Sequence, residues 1–423
     1  MKNLQNLLLA TAILCLLLFT GCKGGYNGQL LGELDRPKWN PITPYGMVFI
    51  PSGVLHIGPS DQDVNASYQA RSKQVSIVGF YMDDTEITNN EYRQFINYVR
   101  DSVAHKLQGD VNQGEGDNAK ETIDWNKKIE WNGKNKNEQL DAIYLPEDQR
   151  IWGTMELDLS KMKYDYQWFD YKAASLTKNR GKARTSFIHK ESTSVYPDTL
   201  VWVRDFAYSY NEPMTRNYFW HPAFDDYPVV GVNWHQANAF CYWRTRLWED
   251  YKTPRGEPLM DIFRLPTESE WEYAARGGKK LSPYPWGGPY VRNSKGCILA
   301  NFKPGRGNYP EDGGFYTVRA DAYWPNDYGL YCMAGNVSEW TSSAFFENSY
   351  SFIHDLNPDI RYDAEQSEPE AMKRKVIRGG SWKDIGYFIE TGTRDWEYAD
   401  TSKSFIGFRC ITTFLGRDIT DSK

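Results

Sequence analysis

Cysteine and histidine are scarce, six of each in 423 residues. No H-E-x-x-H, no H-x-x-x-H-x-E and no C-x-x-C spacing occurs, so the common zinc-hydrolase, helical iron and redox-pair arrangements have nothing to build on. A G-x-x-x-x-G-K-[ST] loop and a G-x-S-x-G elbow are missing too, which removes a nucleotide phosphate cradle and a hydrolase nucleophile. Gly114-Glu115-Gly116 follows no strand and is no dinucleotide loop. Lys and Arg are scattered and the net charge is −6, so nucleic acid is not an expected partner. His221 and His235, with Asp225 in reach of the first, read as hydrogen-bonded structure in an aromatic region.

The apolar run Leu7 to Phe19, behind Lys2, is too short to span a bilayer and has the form of a secretory signal core. It ends in Phe19-Thr20-Gly21-Cys22, the pattern of a bacterial lipobox. Residues 1–21 are expected to be removed, and Cys22 to be acylated and to open a lipidated linker, 22–45. Two or three acyl chains hold a protein on a membrane where a single chain is marginal. Of the other cysteines, Cys15 lies in the signal; Cys241, Cys297, Cys332 and Cys410 admit three pairings that spacing does not separate.

Aromatic residues make up 15% of the chain, which favours ring-on-ring packing in a fold with much irregular structure. Met47-Val48-Phe49-Ile50, a turn at Pro51-Ser52-Gly53 and Val54 to Gly58 read as a β-hairpin. Thr88 with Glu91 forms a capping box, and Tyr92, Phe95, Ile96 and Val99 recur at helical spacing. A second helix begins at Asn233, with Ala237, Phe240 and Cys241 on one side. Thr267 with Glu270 opens a third, closed by Gly277-Gly278.

Six blocks, GMVFIPSGVLHIG (Gly46 to Gly58), VGFYMDDTEITNNEY (Val78 to Tyr92), PVVGVNWHQANAFCYW (Pro228 to Trp243), FRLPTESEWEYAARGG (Phe263 to Gly278), YPWGG (Tyr284 to Gly288) and NDYGLYCMAGNVSEW (Asn326 to Trp340), carry a resemblance, closed by RGGSWKD (Arg378 to Asp384) with GFR (Gly407 to Arg409). In this order they resemble formylglycine-generating enzymes. The resemblance implies an α+β, irregular, loop-rich domain of C-type-lectin-like form over residues 46–415, with a tail at 416–423. It also implies that two thiols binding copper(I) should follow the Gly-Gly-Ser turn. Asp384 and Ile389 stand in those places, and neither is a soft ligand, so the scaffold is expected without its oxidase chemistry, copper or iron. Calcium is implied instead, on Asn336 and Glu339 and, as a second set, on Asn301 and Asp312.

Residues 101–220 depart from that pattern as an insertion, with a polar, flexible first part around Gln108 to Gly133 and a folded second part containing a strand-like run near Tyr196 to Met214. With the lipobox, the insertion resembles the lipoproteins of the type IX secretion and gliding-motility apparatus of Bacteroidota. That implies a non-catalytic ring subunit on the periplasmic face of the outer membrane, since the KGGYNGQ after Cys22 lacks the acidic cluster of surface-exported lipoproteins. The implied partners are copies of itself, a periplasmic subunit of GldN/PorN type and inner-membrane motor subunits. Trp202, Phe206, Tyr208, Tyr210, Trp220 and Phe224 are the expected interface aromatics, and Ser102 and Thr199 the expected O-glycosylation acceptors. The alternatives are an active oxidase or divergent enzyme on this scaffold and, more weakly, a glycan-binding lipoprotein.

Overall fold

The computed structural model describes residues 42–59, 72–112, 122–131, 138–206, 214–365 and 367–416. The signal segment, Cys22, Tyr208 and Tyr210 lie outside them. Among the described residues no helix is long and apolar enough to cross a membrane.

The N-terminal strands are β1 (Met47–Ile50), β2 (Gly53–Ile57), β3 (Lys73–Ile77) and β4 (Phe80–Asp83). The expected hairpin does not form: β1 pairs with β4 and β2 with β3. Ile50 lies opposite Phe80 and Gly53 opposite Ile77, so one register runs through both pairs and the four strands make a single bent antiparallel arm. Tight hairpin turns need a positive φ, and none of Pro51, Ser52 and Gly53 has one. Pro51 cannot donate to a ladder, so it marks a bend in a continuing strand.

The three expected helices form where their caps place them: α1 (Asn89–Gln108), α2 (Trp234–Lys252) and α3 (Glu268–Arg276), each with a reciprocal capping box, at Thr88/Glu91, Asn233/Gln236 and Thr267/Glu270. Gly277 closes α3 in the left-handed region. Tyr92, Phe95, Ile96 and Val99 of α1 and Ala237, Phe240 and Cys241 of α2 meet in one buried cluster, as their spacing requires.

Within the insertion lie two antiparallel hairpins, β5 (Val111–Asn112) with β6 (Thr122–Ile123) and β7 (Lys163–Phe169) with β8 (Ile188–Ser194). Its second part is folded into the main core, since Met162, Tyr166 and Val195 join the cluster of Tyr92, Phe95 and Phe240. The strand-like run near Val201 is instead a short helix, Val201–Asp205. Asp198 accepts from the Leu200 amide at 2.9 Å and starts that turn, which lets the adjacent Val201 and Trp202 both bury; a strand would point them to opposite faces.

The remaining strands are β9 (Phe263–Arg264), β10 (Ser338–Ala344), β11 (Arg374–Arg378), β12 (Asp395–Tyr398), β13 (Ile406–Gly407) and β14 (Ile411–Thr413). They complete two four-stranded sheets, β1-β4-β14-β9 and β12-β11-β10-β13. Only β10 with β13 is parallel in them. Helices, small sheets and long irregular connections together give the expected loop-rich α+β domain.

Candidate functional site

The segment Arg378 to Ile389 leaves the end of β11 through two glycines with positive φ, Gly379 and Gly380. A Cβ on Gly380 would meet the Phe388 carbonyl at 2.6 Å and Ile389 Cγ2 at 2.8 Å, so the turn and Ile389 are fitted to each other. Ser381 is buried, and its N–H and Oγ both donate to Asp384 Oδ2, at 2.9 and 2.6 Å. The Asp384 N–H returns to the Ser381 carbonyl at 2.9 Å. The Asp384 carboxylate thus closes its own loop. Ile389 is 0% exposed and packs with Tyr284, Ala300, Phe302 and Ala334.

Beside this turn, the buried Trp382 is covered by the insertion. Trp202 stacks on it with ring centroids 6.2 Å apart, and Tyr316 meets it edge-on at 5.2 Å. Ser404 N–H and Oγ donate to Asp205 at 2.8 and 2.7 Å, which ties the end of the covering helix to the chain beside β13.

The arginines of the two C-terminal motifs are internal anchors. Arg409 donates to both oxygens of Glu339, at 2.7 and 2.6 Å, and to the carbonyls of Asp83 and Tyr331. Arg378 is paired with Glu272 and donates to the Thr391 carbonyl at 2.7 Å. The acids of α3 are likewise engaged: Glu268 with Arg394, Glu270 bidentate with Arg264 at 2.7 Å, and Glu272 with Arg276. Glu268 and Glu270 are held below the usual carboxylate range because these guanidiniums outweigh the cost of burial. Buried pairs of this kind are costly to break from one side.

Asn336 sits at φ 63, after Gly335, whose position admits no Cβ because one would lie 2.2 Å from the Asn301 carbonyl. Its Oδ1 accepts from Val318 N–H at 2.9 Å and Asn301 Nδ2 at 3.2 Å, and its Nδ2 donates to Glu86 Oε1 at 3.0 Å. The side chains of Asn336 and Glu339 therefore do not fit a calcium ion. Every side-chain oxygen of the two already accepts from a donor, including Trp271 Nε1 on Glu339 at 2.7 Å, and a guanidinium neutralises the carboxylate. Asn301 donates its amide to the Tyr316 carbonyl at 2.8 Å, which leaves its Oδ1 toward Gly314. Asp312 ends a short 3-10 turn, and its side chain lies outside the described residues. Among the described residues, no group of three or more His, Cys, Asp and Glu is placed to hold a metal.

Sequence reasoning missed Glu86. It is wholly buried, its Oε2 has no partner, and burial, with the Glu339 charge adding to it, pushes its pKa up to about 8 against the opposing pull of Arg409. Asn89 Oδ1 and Thr317 Oγ1 are also buried without partners. The only sequence signal is an acid two residues before a helix cap, Glu86-Ile87-Thr88, which reads equally well as a surface charge.

The expected interface aromatics divide. Trp202 is 1% exposed, and Phe206 and Phe224 pack against the same internal cluster, so the first is core and the other two line it. That corrects the expectation for Trp202, whose ring is buried on Trp382 and is not free to face a partner. Trp220, 42% exposed, remains at the surface, its indole bonded to the Tyr196 hydroxyl. Ser102 lies within α1 with its hydroxyl on the Tyr98 carbonyl; Thr199 is half-buried in the turn before Val201. Asp225 pairs with Arg93, and His221 accepts from the Ala223 N–H, so no His-Asp site forms there. Cys241 and Cys410 place their sulfurs 3.4 Å apart in the core, and both are free thiols, as are Cys297 and Cys332.

The model of the sulfatase-modifying factor enzyme 1-like domain matches residues 35–414. The chain belongs to this family. The formylglycine-generating enzyme of Bos taurus is 28% identical over 396 residues, 92% of this chain and 80% of its own. The inactive C-alpha-formylglycine-generating enzyme 2 of Mus musculus is 33% identical over 192 residues, 44% of this chain and 49% of its own. Among solved structures, PvdO from Pseudomonas aeruginosa is similar over 87% of this chain and 94% of its own, with TM-score 0.48 and 16% identity. Family membership accounts for the order of the blocks. It spans proteins named as active and as inactive.

Proposed function

We propose that this chain is a non-catalytic member of the family, a lipid-anchored subunit of GldK/PorK type in the type IX secretion and gliding-motility apparatus. One observation carries the loss of chemistry. Of the two positions where the family's enzymes place thiols, Asp384 is closed on Ser381 and Ile389 is packed in the core. A hard carboxylate locked in its own turn and an alkyl group give a cuprous ion nothing soft to bind. The insertion adds to this, since Trp202 covers the neighbouring Trp382. The cellular role rests on the lipobox at Cys22 and on the insertion, which supplies surface beyond what the scaffold needs. In this reading copies assemble head to tail on the periplasmic face of the outer membrane, with a GldN/PorN-type partner and the motor subunits beyond it. Calcium on Asn301 and Asp312, with main-chain oxygens, remains compatible with it.

The test is affinity purification of the tagged chain from its native host in detergent, followed by cryo-electron microscopy. The reading requires a ring of copies with a second periplasmic subunit, and Cys22→Ser should release the chain from the membrane. A monomer without partners, recovered from intact membranes, would overturn it.

A further inference from the structure

A cavity of about 310 Å³ lies away from the Ser381 turn, between the insertion hairpin β7/β8, α2 and β10. Small-molecule sites run from about 300 to 1,000 Å³, so this one suits a single ring with its substituents. Tyr166, Trp168, Trp234 and Tyr242 supply aromatic walls.

The charged groups around it are mostly compensated. Lys375 bonds Asp363 at 2.7 Å and lies over the Trp234 ring; Arg264 bonds Glu270 at 2.7 Å; Arg361 bonds Asp359 at 2.6 Å. Glu191 accepts from Trp168 Nε1 at 2.8 Å and from the Tyr166 hydroxyl. An ionic ligand would have to displace one of these partners.

Neutral polar groups are left over, Ser342 and His235 among them. Ser342 is 8% exposed, and its buried Oγ has no hydrogen-bond partner. The His235 ring also lines the cavity and makes no hydrogen bond among the described residues. Burial holds His235 below its ordinary pKa, so at neutral pH it offers one donor and one acceptor. Asp400, which is exposed, adds an acceptor. A purely apolar ring would leave the hydroxyl and the imidazole unsatisfied, which costs free energy in a buried site. A molecule with an apolar face and hydroxyl edges satisfies both walls and polar groups.

We propose that this cavity binds a neutral pyranose sugar, its ring against the aromatic walls and its hydroxyls on Ser342 Oγ and His235. The inference stands apart from the secretion role, because it uses neither the lipid anchor nor a partner subunit. The sugar could be free or part of a polymer, and the test separates these sources.

The purified full chain in detergent is titrated with maltose and with N,N′-diacetylchitobiose, followed by tryptophan fluorescence and calorimetry, and is separately sedimented with peptidoglycan sacculi. Saturable binding is expected for a neutral saccharide or for the sacculi, weakened about tenfold or more in His235→Ala and in Trp168→Leu, with Ser342→Ala weaker than the parent and melting unchanged. Binding to sacculi alone, lost in the same variants, assigns the polymer as the source. The proposal is overturned if no arm binds in the millimolar range, or if binding persists undiminished in His235→Ala and Ser342→Ala. It is equally overturned if N-acetyltyrosine amide occupies the cavity in place of the sugars.

Discussion

Replacing Glu86 by Gln should make the protein more stable at alkaline pH and leave it nearly unchanged in acid. Glu86 is wholly buried, accepts one hydrogen bond from Asn336, and has its pKa pushed from 4.5 up to about 8. Below pH 4.5 both folded and unfolded chains hold the proton. Between 4.5 and 8 the unfolded chain releases it while the folded one keeps it, so folding stability falls as pH rises, by up to about 1.4 kcal/mol per unit from this group. Above 8 both states are ionised and the loss is complete, on the order of 4 to 5 kcal/mol in all. Gln cannot ionise, keeps an acceptor for Asn336 and removes the loss. Other titrations are common to both proteins and cancel in the difference. Thermal melting at steps from pH 5 to pH 9 should show near-equal midpoints in acid and a gap that opens to about 5–10 °C at the alkaline end. Parallel curves, or a variant less stable by a constant amount, would refute the assignment of Glu86 as a buried neutral acid.

Trp202→Ala should cost about 3–5 kcal/mol in urea unfolding, because the ring is buried on Trp382, whereas Trp220→Ala should cost under about 1 kcal/mol. Equal losses would show that the covering helix is not docked. Glu339→Ala should destabilise by about 3–5 kcal/mol, since it removes the carboxylate bonded directly to the buried Arg409; a loss below about 1 kcal/mol would mean that Glu86 takes over as its counter-charge. Oxidation should bridge Cys241 and Cys410, closing a separation of 169 residues and adding about 5 kcal/mol by the chain-entropy model. Native alkylation should then label Cys297, the exposed thiol, and labelling of Cys410 in the oxidised protein would contradict the pairing.

What the sequence made legible was local or carried by resemblance. The three helix starts are written in residues three apart, Thr88 to Glu91, Asn233 to Gln236 and Thr267 to Glu270, and the hydrogen bonds that read them are equally short-range. Strand pairing is not: β1 and β2 carry apolar runs that suit a hairpin, but their partners lie 16 to 36 residues on, and only the common register of the bent arm reveals it. Val201 and Trp202 look like strand residues because both are apolar, but a turn in which Asp198 accepts from the Leu200 amide leads straight into a short helix. Within the candidate site, Asp384 and Ile389 were placed by the motif ahead of them. Glu86 and the walls of the sugar cavity were not, because burial and convergence of residues such as Trp168, His235 and Ser342 are properties of the assembled fold.

The central claim, a family scaffold without the family's oxidase chemistry, is tested most directly by incubating the purified protein with copper(I), oxygen and a cysteine-containing sulfatase peptide, and following aldehyde formation on the peptide by mass spectrometry. With Asp384 locked on Ser381 and Ile389 in the core, no aldehyde should form above a heat-killed control, and copper(I) should not be retained through gel filtration. Copper-dependent conversion of the cysteine to formylglycine, at any rate above that control, would contradict the account.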